Sequence, residues 1–172
     1  MSRPARVRGL GVIALMTVAC LGNETIASGV LNITEDGWYT WRAPAVENAK
    51  TREIQVYVLI ESGQTSKISL PGWQCQTGNK LETINAEVND LGSVSADDSI
   101  DWLRRQIKPG SDIASTALAA ISHHAGNYAF QVLAEIVESD ANDEFREEAI
   151  FWMVVSDTDG AFAYIDRLII GE

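Results

Sequence analysis

Two adjacent histidines, a cysteine in the body of the chain and an acidic run are the residues whose chemistry could amount to a site. His123 and His124 are the only histidines. Neighbours on a helix point about 100° apart, so the pair cannot grip one metal as an i, i+4 pair does. At a helix C-terminus they are expected to cap the last carbonyls and answer the dipole. Cys75 lies in Pro71-Gly72-Trp73-Gln74-Cys75 with no Lys, Arg or His within four residues, so nothing local lowers its pKa and a structural thiol is expected. A catalytic role for the histidines would need the fold to bring Cys75 or a serine close to them. The run Glu138 to Glu144 places Asp140, Asn142 and Glu144 at the first, third and fifth positions of a calcium loop. Phe145 then stands at the required Gly and Phe151 at the bidentate Glu, so the EF-hand reading fails and a solvated turn is expected. Asp157-Thr158-Asp159-Gly160 reads the same way. No catalytic, cofactor-binding or metal-ligating set emerges, and a non-enzymatic protein without a cofactor is the expectation.

The aromatic residues point instead to contact. Trp38, Tyr39 and Trp41 lie close together, and positions 38 and 41 of a strand face opposite sides of a sheet. Both tryptophans cannot enter one core unless the strand is covered on both sides, so one is expected to face a partner. Trp102 and Trp152 fall on apolar helix faces and are expected in the core.

These side chains need elements to position them. Ile54, Val56, Val58 and Ile60 alternate with Gln55, Tyr57, Leu59 and Glu61, and the pattern breaks at the turn signal Ser62-Gly63-Gln64. A hairpin from Arg52 to Leu70 follows. Trp38 to Trp41 reads as an edge strand ending at Pro44, and Ile84, Ala86 and Val88 as a weaker strand. From Ser95 the period becomes helical. Ser95 with Asp98 forms a capping-box variant ahead of Ile100, Leu103 and Ile107, and Lys108-Pro109-Gly110 stops that helix. Further helices are expected from Ser111 to about His124, over Tyr128 to Glu138, from Asp143 to about Val155, and from Thr158 or Asp159 to Ile170. Strands followed by helices give an α+β chain, a small antiparallel sheet at about 37–90 and a helical stack at about 95–170.

The helices repeat. Shifted by 32 residues, Ala117 falls on Ala149, Leu118 on Ile150, Ile121 on Met153, Ala129 on Ala161, Phe130 on Phe162 and Val137 on Ile169. Apolar positions that recur while polar ones drift are the mark of a two-helix unit stacked on its copy. The second unit opens Asp143-Glu144-Phe145-Arg146-Glu147-Glu148-Ala149, which resembles the D-x-x-V-R-x-x-A core of HEAT repeats. That resemblance implies that Arg146 bonds back to turn residues and that Ala149 lets two helices approach. The first unit departs from it, with Ala114 in place of the Arg. A longer likeness runs through Gly37 to Pro44, Ile54 to Gly63, Val94 to Leu103 and Arg146 to Trp152. In that order they are similar to a group of exported bacterial HEAT-repeat proteins with a β-rich N-terminal half. With only two copies, the repeat is expected to form one wall of a compact domain and not a free-standing arch. Trp38, Tyr39, Trp41, Asp143 and Arg146 are the candidate interaction surface.

Arg3, Arg6 and Arg8 precede an apolar stretch from Leu10 to Ala19 that is short for a spanning helix, so the first 27 residues read as an export signal or N-terminal anchor. Thr25-Ile26-Ala27 suits signal-peptidase cleavage, while Thr17-Val18-Ala19-Cys20 resembles a lipobox in which Cys20 is acylated. Either way the body is expected in the periplasm or at the envelope. The net charge of −11 becomes −13 once three Arg and one Glu leave with residues 1–27. So acidic a surface repels phosphate backbones and anionic headgroups, which excludes nucleic acid and leaves the N-terminal segment as the only membrane contact. The rest divides into a β region at 28–94 and a helical region at 95–172 packed on it, and its expected partner is another protein.

Overall fold

The computed structural model describes residues 31–47, 50–71, 86–139, 143–156 and 160–170. Residues 1–27 with Cys20, Cys75, and residues 140–142 and 157–159, where turns are expected, lie outside the described residues. The chain is α+β, with strands β1 (Gly37–Glu47), β2 (Lys50–Glu61), β3 (Gln64–Ser69) and β4 (Val88–Ser93). Helices α1 (Ala96–Arg104), α2 (Ala114–Ser122), α3 (Asn127–Glu138), α4 (Asp143–Val155) and α5 (Ala161–Ile170) follow.

The β2–β3 hairpin forms where the alternation places it. Ser62 and Gly63, with φ of 54° and 71°, form a two-residue turn with positive φ at both residues, whose backbone twist matches the right-handed twist of the strands. Asp36 holds this turn from the side. Its carboxylate accepts the amides of Ser62 and Gly63 at 2.9 Å each, and those two hydrogen bonds lower its pKa.

Sheet order is β3-β2-β1-β4, so β1 is interior and not the expected edge. β4 also differs from the expectation of an all-antiparallel sheet, because it pairs parallel to β1. Parallel neighbours need a crossover of a dozen or more residues, and the stretch between β3 and β4 is that long. The strand starts at Val88, where the sequence pattern has it ending. Asn89, Asp90 and Gly92 are poor strand formers, and here they serve an irregular ladder. The Asn89 amide donates to the Trp38 carbonyl, Asp90 accepts the Gly92 amide, and Gly92 takes φ 75° beside the register shift. Pro44 is tolerated inside β1 because β4 has already ended, and its carbonyl accepts from the Ala125 amide at 2.9 Å.

One face of the sheet carries Trp41, Ala43, Ile54, Val56, Val58 and Ile68 into a single core with the helices. Trp41 meets Trp102 of α1 edge-on at 5.2 Å, a preferred aromatic arrangement. α1 begins as its cap dictates, with Ser95 Oγ accepting the Asp98 amide at 3.0 Å and donating to the Asp98 carboxylate at 2.7 Å. It ends at Arg104, short of Ile107, because Gln106 and Ile107 tighten into i→i+3 bonds and the Gln106 side chain takes up the Trp102 carbonyl. Replacing Ser95 by Ala is expected to cost about 1 kcal/mol, a fall of about 3 °C in the thermal midpoint. A midpoint equal to the parent's would remove the cap from the list of stabilising contacts.

The two helical hairpins stack in order. α4 packs on α2 and α3, α5 reaches across α3, and Ala117, Ala149, Ile121, Met153, Ala129 and Ala161 are all buried.

Candidate functional site

Three elements bring their polar side chains to one buried point. Alternation along β1 turns Trp41 inward, the first turn of α1 presents Ser99, and the end of α2 delivers His124. Trp41 Nε1 donates to Ser99 Oγ at 2.7 Å. Ser99 Oγ lies 2.8 Å from His124 Nε2, and His124 Nδ1 lies 2.7 Å from the Ala120 carbonyl. A carbonyl only accepts, so Nδ1 carries the proton, Nε2 accepts, and the serine hydroxyl donates to it. Every member has its partner. Burial is the main cause that lowers the His124 pKa to about 4, against an opposing push from the Ala120 hydrogen bond. Burial alone lowers that of His123 to about 4.

A serine hydroxyl bonded to an imidazole is the pairing used in nucleophilic catalysis. Here Ser99 is 0% and His124 3% exposed, and the ring's other nitrogen faces a backbone carbonyl. The three groups act as a clasp joining sheet to helices, reinforced where His124 bridges Ala45. The expected capping by this histidine is present, since it takes up the Ala120 carbonyl. Its answering of the helix dipole is not, because burial keeps the ring neutral. His123 points the other way, edge-on to Trp152 of α4 at 5.7 Å.

The residues expected to meet a partner scatter. Trp41 is 0% exposed and cannot be a contact, because the sheet face it occupies is the one the helices cover. Tyr39 shares that face, half-buried, and its hydroxyl donates to the Glu35 carbonyl. Trp38 stands half-buried on the opposite face, as the i, i+3 spacing requires. Arg146 and Asp143 stay exposed at the start of α4, and Arg146 also ties the stack together. Its Nε donates to the Val137 carbonyl at 3.1 Å and its Nη1 pairs with Asp143 at 3.3 Å, tying the start of α4 to the end of α3.

None of the residues of the surface that remains open is among those expected to meet a partner. Phe151, Val154 and Val155 on α4, and Phe162, Leu168, Ile169 and Ile170 on α5, are the exposed large apolar residues among those described. Subtracting 32 from each number gives Ala119, Ser122, His123, Phe130, Ile136, Val137 and Glu138. In the first hairpin that same surface meets the second. Trp152 packs on His123, Tyr164 packs on Phe130 and bonds Glu138, and Arg146 takes the Val137 carbonyl. Val137 is 3% exposed and its counterpart Ile169 is 77%. The outer face of α4–α5 is therefore a stacking face with nothing stacked on it among the described residues. The signal was in the repeat, at positions where the second copy is more apolar than the first: Ala119 becomes Phe151, Ser122 Val154, His123 Val155 and Glu138 Ile170.

Among the described residues no helix is long and apolar enough to cross a membrane. The chain matches no family model, no curated protein and no solved structure.

Proposed function

We propose that this protein is an exported, non-enzymatic protein–protein interaction module of the periplasm or cell envelope, and that it docks its partner through the outer face of α4–α5. The uncovered stacking face is the observation that carries this reading. Exposed apolar surface gathered on one face of a folded domain marks a site of association. Export is supported by the basic and then apolar N-terminal residues, and the resemblance to exported HEAT-repeat proteins points the same way. Mass spectrometry of the processed N-terminus separates a chain beginning at Ser28 from one acylated on Cys20.

The test is a pull-down from envelope extract with the processed protein, its Phe162→Glu/Ile169→Glu variant and a Trp38→Ala variant. Partner recovery is expected to fall at least about tenfold for the double variant, since two buried carboxylates each cost a kcal/mol or more, and to persist for Trp38→Ala. Equal recovery from parent and double variant would end the proposal, and loss with Trp38→Ala alone would move the contact to the sheet.

A second reading, a ligand-binding protein with a pocket between sheet and helices, is favoured by a cleft of about 830 Å³ beside the β2–β3 turn and the segment joining α1 to α2. Ile60, Trp102 and Ile113 are part of its apolar wall, and among the described residues Arg105 and Lys108 are the charged groups that line it. In so acidic a chain that composition suits a small anion with an apolar body.

A further inference from the structure

We infer that the occupant of the α4–α5 face is an α-helical hairpin, apolar along its contact stripe and carrying Lys or Arg where α4 itself carries Glu148. The inference rests on the reading of this face as a docking surface and adds the chemistry of what docks.

The first hairpin supplies the template. Its face is covered by two helices lying side by side, one reaching His123 and Ser115 and the other Phe130 and Glu138. The second hairpin repeats that face in the same register, with Val155, Glu147, Phe162 and Ile170 at the corresponding places. Equivalent relief calls for an equivalent shape, two packed helices.

The charges say that this hairpin is not another α4–α5. Ser115 Oγ donates to Glu148 at 2.7 Å, so a carboxylate sits comfortably opposite that position in the first copy. In the second copy the position is Glu147, and a carboxylate opposite it is repelled while a cation is drawn in. Ala134 becomes Asp166, which adds a second exposed acid in the same register. Glu138, which accepts the Tyr164 hydroxyl, becomes Ile170, so the new occupant needs an apolar group there and not a phenol.

A second copy of the chain fits badly for two reasons. The side of α4–α5 that does the covering is spent on its own α2–α3, where Ala149, Met153 and Ala161 are 0% exposed. Only outer face against outer face is left, which gathers the acids of two chains that each carry a net charge of −11.

The experiment titrates the processed protein with two synthetic helical hairpins that share one Leu/Ala contact stripe, one flanked by Lys and one by Glu. The Lys-flanked hairpin is expected to bind about tenfold tighter or better, with the preference shrinking at high salt. Glu147→Lys, an exposed change that leaves the core untouched, is expected to reverse the preference, and Phe162→Glu/Ile169→Glu to abolish binding of both. No binding, no charge preference, or a preference that Glu147→Lys leaves unchanged would overturn the inference. So would sedimentation showing a dimer that Phe162→Glu dissociates, or binding of phosphatidylcholine vesicles that the same variant removes. If the Lys-flanked hairpin fails while the double variant still loses its partner in the pull-down, the stated chemistry is wrong and the docking face stands. If the double variant matches the parent in both experiments, the face itself is wrong.

Discussion

Acidification from pH 6.5 to pH 4 is expected to remove about 3 kcal/mol of folding stability for each of the two histidines. Free imidazole titrates near 6.5, and burial lowers both His123 and His124 to about 4. Between those values the unfolded chain binds protons that the folded chain refuses, so stability falls as pH falls. The contribution is whole above 6.5, is lost progressively on the way to 4, and changes no further below that. Each unit of separation is worth about 1.4 kcal/mol, and the pair together approaches the net stability of a typical domain, about 5–15 kcal/mol. The mechanism is local. A protonated His124 would turn Nε2 into a donor and leave the serine hydrogen without its acceptor. Carboxylates act in another window. The lowered pKa of Asp36 makes its contribution present above the ordinary value of 3.8 and lost as pH falls through the lowered one. Urea midpoints at pH 7.5, 6, 5 and 4 would distinguish the two. A midpoint that holds down to pH 5 and collapses only below 4 would mean the histidines are not buried neutral.

Ser99→Ala is expected to destabilise the fold by about 3 kcal/mol, several times the effect of Ser95→Ala four positions earlier, although both remove one hydroxyl. At Ser95 water replaces the lost partner. At Ser99 the hydroxyl is at once acceptor for Trp41 Nε1 and donor to His124 Nε2, so its removal strands two buried polar atoms, each at about 1–3 kcal/mol. Trp41→Phe removes one of the stranded atoms beforehand. The double variant should therefore cost less than the sum of its singles by about 1 kcal/mol or more, the sign of direct coupling. Chemical denaturation of the four proteins measures it. A Ser99→Ala cost no larger than that of Ser95→Ala would show that the clasp does not hold sheet to helices.

The parts of the fold that could be read from the chain are those set by near neighbours. Ser95 and Asp98 announce α1 because a cap needs residues three apart, Ser62-Gly63 announces the hairpin because a two-residue turn needs positive φ, and period two along 54–60 announces β2. The limits of α3, α4 and α5 fall within a few residues of those expected for the same reason. β4 was displaced because its pairing depends on a ladder with β1, some fifty residues away, and not on its own composition. The interior position of β1 was hidden likewise, since Pro44 suits an edge as well as a strand whose neighbour has just ended.

The candidate site divides along the same line. That Trp38 and Trp41 face opposite ways follows from strand geometry alone, but which of them is sealed depends on where five helices settle. The sequence alone determined the α+β order, the helix caps, the 32-residue repeat and the acidity, because each is a property of local spacing or of composition. Only the tertiary structure decided that Ser99 and His124 meet and that the second hairpin keeps an apolar face uncovered among the described residues. Those outcomes depend on which faces pack together, and packing joins residues that the chain keeps 25 to 58 positions apart.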